Sequence, residues 1–93
     1  MGEKTENPQS GGEETRLAIL AIVVENSECV SALNALLHEY SAWIIGRMGI
    51  PYPARKVSLI SVAVDAPGEV ISALTGKIGR LQGLTVKAAY SKV

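Results

Sequence analysis

Leu20-Ala21-Ile22-Val23-Val24-Glu25, followed by Val30-Ser31-Ala32-Leu33, is a pattern that returns about forty positions later in the same chain. The second copy runs Ile60-Ser61-Val62-Ala63-Val64-Asp65 and then Val70-Ile71-Ser72-Ala73-Leu74. Each copy is an apolar strand, an acidic residue at its end, a short turn and an amphipathic helix. A strand and a helix used twice within 93 residues define the architecture, because little chain remains for anything else.

Working outward, the first strand is predicted over Leu17 to Val24, where every residue is apolar, the composition of a strand covered on both faces. Asn26 or Ser27 then caps a helix over Ser27 to Glu39, with Val30, Leu33, Leu36, Leu37 and Tyr40 at helical spacing. Trp43 to Met48 reads as a short strand, and Gly49, Pro51 and Pro53 as a turn with a long connection. Val57 to Val64 is a second central strand. Pro67 suits the first turn of a second helix whose apolar face is Val70, Ala73, Leu74, Ile78 and Leu81. Gly76 and Gly79 fall inside it, each costing ~1 kcal/mol relative to Ala, so they either permit close packing or end the helix early. Gly83 makes a turn, and Leu84 to Tyr90 alternates like a half-exposed edge strand.

The order strand, helix, strand, strand, helix, strand is the split βαβ plan. Right-handed crossovers place the first and third strands centrally. The expected fold is therefore α+β and ferredoxin-like, βαββαβ, with a four-stranded antiparallel sheet of order 4-1-3-2 and both helices on one face. Residues 1–15 are polar after Met1 and read as a disordered tail; residues 16–93 form the domain. The other sheet face would expose apolar side chains of both central strands. Such a patch marks an interface on a small soluble chain, so a homo-oligomer, dimer or tetramer, is expected through the helix-free face.

Composition narrows the function. Nine Lys plus Arg balance nine Asp plus Glu, which gives no basic excess for direct contact with nucleic acid. The longest apolar run is too short to cross a membrane, and the polar amino terminus is not a secretory signal. A single Cys, Cys29, suits a reducing cytoplasm.

Candidate chemistry is sparse. His38, the only histidine, lies near the end of the first helix, where it complements the dipole. Cys29 falls in that helix's first turn with no base nearby, so a nucleophile is not expected. One His and one Cys cannot form a tetrahedral metal site within a chain, and no phosphate-binding loop or Ser, His and acid set is present. No catalytic residues, metal ligands or cofactors are therefore assigned. Ligand binding or a subunit contact is placed instead on Gly46, Arg47, Met48, Gly49 and Tyr52, where two glycines, an arginine and a tyrosine stand close together and suit a small anion. A second candidate is the turn at Asn26 and Ser27, where free N–H groups could hold a carboxylate against the like charge of Glu25 and Glu28.

The segments IIGRMGIPY (44–52), VDAP (64–67) and LTGKIGRL (74–81) to VKAAYSK (86–92) resemble the small regulators associated with iron-only hydrogenase systems, a likeness that covers nearly all of residues 16–92. That resemblance implies a ferredoxin-like, ACT-like fold, similar to the ligand-binding half of nickel-responsive repressors, and a regulatory role. Those repressors hold nickel through several His and a Cys, and His38 with Cys29 does not reproduce that set. No DNA-binding segment precedes the domain, so regulation, transcriptional or otherwise, would pass through a protein partner. ACT-type modules often bind small molecules such as amino acids after the first strand, which here implicates Asn26 and Ser27, although the Pro-Gly pair common there is missing. The expected function is a non-catalytic oligomeric regulatory module that senses a small ligand. The alternatives are an adaptor docking a hydrogenase maturation protein, an amino-acid-binding module, and a small enzyme with Arg47 as anion anchor.

Overall fold

Alternation along the first strand sets which way the sheet faces. In the computed structural model, which describes residues 14–92, β1 (Arg16–Val24) buries Ala18, Leu20, Ile22 and Val24 and exposes Leu17 and Ile19. Residues 1–13 of the expected tail lie outside the described residues, as does Val93. After β1 come a 3₁₀ turn (Ser27–Cys29), α1 (Val30–Glu39), β2 (Ile44–Tyr52), β3 (Val57–Ala66), α2 (Gly68–Gly79) and β4 (Leu84–Tyr90). The sheet order is β2-β3-β1-β4, all antiparallel, which is the expected order read from the other edge. The chain has the ferredoxin-like βαββαβ fold.

Both helices lie over the face that carries Leu20, Ile22, Val62 and Val64, and they supply Leu33, Leu37, Ile71, Leu74 and Ile78 to one core. Leu74 and Ile78 are buried as expected, with Val70 and Leu81 packed against the core, but Ile71 is buried and the expected Ala73 is exposed. Lys77 ties the helices together. Its amine lies 3.6 Å from a Glu39 oxygen and 5.1 Å from the centre of the Tyr40 ring. The hydrogen bond to Tyr40 and the charge of Glu39 hold it above the usual lysine range.

Gly76 and Gly79 differ in role. A Cβ on Gly79 would touch the Val86 side chain at 3.7 Å, whereas one on Gly76 meets nothing within 4 Å. Gly76 is thus an exposed helix-interior glycine with no packing function, and Gly76→Ala is expected to stabilise the domain by about 0.5–1 kcal/mol through the lower entropy of the unfolded chain. Chemical denaturation measures this, and an unchanged or lower midpoint would contradict it.

Gly83 is fixed by its surroundings. Its φ is +92°, a Cβ there would stand 2.6 Å from the Cβ of Asn26, and its carbonyl accepts from the N–H groups of Glu25 and Asn26 at 2.7 and 2.9 Å. The turn leaving β1 is thereby clamped to the turn entering β4.

The largest departure from expectation is β2. It does not end at Met48 but continues through Gly49, Ile50, Pro51 and Tyr52, pairing with β3 as far as Tyr52 opposite Val57, and Trp43 precedes it in a 3₁₀ turn. Pro51 is tolerated because β2 is an edge strand whose outer side needs no donor. The strand is exposed from Ile45 to Tyr52, so it lacks the buried apolar stripe by which a strand is recognised.

Candidate functional site

A bulge in β2 decides where the singled-out segment points. Ile44 stands opposite Val64 and Gly46 opposite Ala63, so Ile45 is an extra residue in the ladder. Counted from Ile44 without that insertion, alternation would send Arg47 to the helix-free face. With it, Arg47 stands opposite Val62 and turns toward the helices, while Gly46, Met48, Ile50 and Tyr52 fall on the helix-free face.

On the helix side, Arg47 meets α1. Its Nη1 donates to Asn34 Oδ1 at 3.2 Å. Asn34 and His38 are four residues apart on the exposed side of α1 and so are neighbours on its surface. Together with Ser41 they border a cleft of about 460 Å³ whose apolar floor is Leu37 and Ile44. Gly49 is on this side too, opposite Ile60. Among the described residues, no acidic side chain lines the cleft. Glu39, the adjacent carboxylate in sequence, is engaged with Lys77 instead.

The opposite face is apolar. Leu17, Ile19 and Ile45 with Ala63 and Ala89 frame one shallow depression, and Val23, Met48, Ile50 and Leu59 with Ala21 and Ser61 frame another. Ile19 is 49% exposed and Met48 60%. Small residues run across the middle and bulky ones stand at both ends. Charge is confined to the margins, with Asp65 beside Leu17 near one end and Lys87 on edge strand β4.

Asn26 and Ser27 belong to neither surface. Asn26 Oδ1 accepts from the Glu28 N–H at 2.9 Å, capping the 3₁₀ turn, and the residue packs against Gly83. Ser27 is exposed beside it. Glu28 lines the small cleft at this turn and opposes an anion there. Cys29 is buried and its thiol donates to the Asn26 carbonyl at 3.1 Å, a structural contact. Cys29 and His38 sit at opposite ends of the helical segment, about 13 Å apart by helical rise. Among the described residues, no group of three or more His, Cys, Asp or Glu side chains gathers to hold a metal ion.

Sequence reading thus joined residues that the fold separates. Arg47 and Gly49 lie on the helix side, Gly46, Met48 and Tyr52 on the other, and Asn34, the partner of Arg47, was missed together with His38 and Ser41 of the same cleft. Residues 16–88, which span α1 and all of β2, match a family model named TM1266-like and described as "Iron-only hydrogenase system regulator, putative". The chain belongs to the TM1266-like family. The solved structure of the uncharacterized protein TM1266 from Thermotoga maritima is similar at 34% identity and a TM-score of 0.81, over 85% of this chain and 100% of that one. A search of curated proteins found no match. In this TM1266-like chain no helix among the described residues is long and apolar enough to cross a membrane.

Proposed function

We propose that this TM1266-like chain is a non-catalytic regulatory module of an iron-only hydrogenase system, that it works as a homodimer closed over its helix-free sheet face, and that it senses a small ligand. The observation that carries the assembly is the exposed helix-free face of the four-stranded sheet, apolar over β1, β2 and β3. At about 4.8 Å between strands and 3.3 Å per residue, that face measures roughly 19 by 27 Å, or about 500 Å² per copy. Two copies would bury about 1,000 Å², the lower bound for a specific interface. Two such faces stack about 10 Å apart as in a sandwich, and the bulky ends of one copy fit the small-residue middle of the other.

The regulatory part is supported by the description of the family. Equal numbers of acidic and basic residues favour action through a protein contact over direct contact with nucleic acid. Deleting the gene is expected to change the amount of iron-only hydrogenase protein in its cells. Unchanged hydrogenase protein and activity in the deletion strain would overturn the regulatory reading.

A further inference from the structure

We infer that the cleft between α1 and the bulged edge of β2 binds a small organic anion, a carboxylate carrying a short apolar group. This names the ligand class for the sensing role proposed above and rests on that reading. Arg47 is the anchor. A guanidinium has five N–H donors in a planar fork, and the hydrogen bond to Asn34 occupies one of them. Among the described residues Arg47 has no carboxylate partner, whereas Lys77 is paired with Glu39 and Arg16 lies 4.2 Å over the Tyr90 ring.

The groups around the anchor share one polarity. Because Asn34 Oδ1 accepts from Arg47, the Asn34 amide nitrogen is left with its two donors. The His38 ring and the Ser41 hydroxyl add further donors at the rim. With no acidic side chain among the lining residues, the cleft offers donors and positive charge to one incoming acceptor. A carboxylate accepts two parallel N–H bonds from a guanidinium, which suits Arg47. Leu37 and Ile44 favour an anion with an apolar substituent over a bare inorganic one. The volume of about 460 Å³ lies in the range of small-molecule sites. The cleft opens on the helix side, so covering the sheet face leaves it accessible.

Titration of isotope-labelled full-length protein with sodium isobutyrate, followed by nuclear magnetic resonance, tests this. Saturable shifts are expected at the Arg47 and Asn34 side-chain N–H signals. Arg47→Gln should weaken binding about 10-fold or more, and Arg55→Gln, which removes the same charge outside the cleft, should leave it unchanged. Unsaturated shifts matching those from sodium chloride at equal ionic strength, or equal weakening by Arg55→Gln, would overturn the site. Tighter binding of inorganic phosphate than of isobutyrate would overturn the carboxylate assignment. Light scattering on the same samples reads the dimer separately, so failure of the site and failure of the assembly are distinguished.

Discussion

Ile19→Glu is expected to leave the domain folded and to make it monomeric. Ile19 lies on the helix-free face of the central strand β1, 49% exposed in the single chain, so a glutamate there is hydrated and costs the isolated fold little. In the dimer the same carboxylate would be taken out of water, once from each copy, near the like charge of Asp65 and with the cation of that face, Lys87, out on edge strand β4. A buried uncompensated charge costs several kcal/mol, and each 1.4 kcal/mol is a factor of ten in association. Self-association should therefore weaken at least ~100-fold. Sedimentation velocity across a concentration series reads this directly, with far-ultraviolet circular dichroism confirming the fold. A variant that sediments as the parent does would contradict the assignment of this face.

Gly83→Ala is expected to destabilise the domain by about 2–4 kcal/mol, from two causes that act together. A non-glycine residue held at this positive φ costs about 1–3 kcal/mol. The new methyl group would in addition stand 2.6 Å from the Asn26 Cβ. Relief by backbone movement would loosen the hydrogen bonds that the Gly83 carbonyl accepts from Glu25 and Asn26. For a domain of this size the melting temperature should fall by roughly 10 °C or more. Denaturation at fixed protein concentration checks it, since dimerisation makes the midpoint concentration-dependent. A loss below about 0.5 kcal/mol would show that the two turns are not clamped here.

The fold was legible because its central elements carry redundant signals. Residues 17–24 and 57–64 are apolar almost throughout, the residues after them favour turns, and the helices repeat the same spacing, so strand, helix and order all agreed. β4 was read to its observed bounds from strict alternation. β2 was not, because alternation is a signature of burial on one face, and this strand is exposed on both from Ile45 onward. Its two glycines and Pro51, ordinarily marks of a turn, hid a strand that the ladder to β3 holds in place.

The site was half legible for a related reason. Arg47 stood out as a charge between glycines, but its partners come from the exposed side of α1, where polar residues such as Asn34 and His38 look like ordinary solvated surface. What joins them is the one-residue bulge at Ile45, which reverses the direction of Arg47 and leaves no local mark in the sequence. Segment 44–52 therefore serves two surfaces, with Arg47 in the polar cleft and Met48, Ile50 and Tyr52 on the apolar face. The turn at Asn26 attracted attention for its free N–H groups, and the structure uses it to hold Gly83 and to cap the 3₁₀ turn.

The mass of the unmodified protein in solution tests the central claim most directly. Static light scattering at micromolar concentration should give about twice the 9.8 kDa of one chain. A mass of 9.8 kDa under the same conditions would mean that the apolar sheet face stands uncovered and would contradict the assembly on which the proposed function rests.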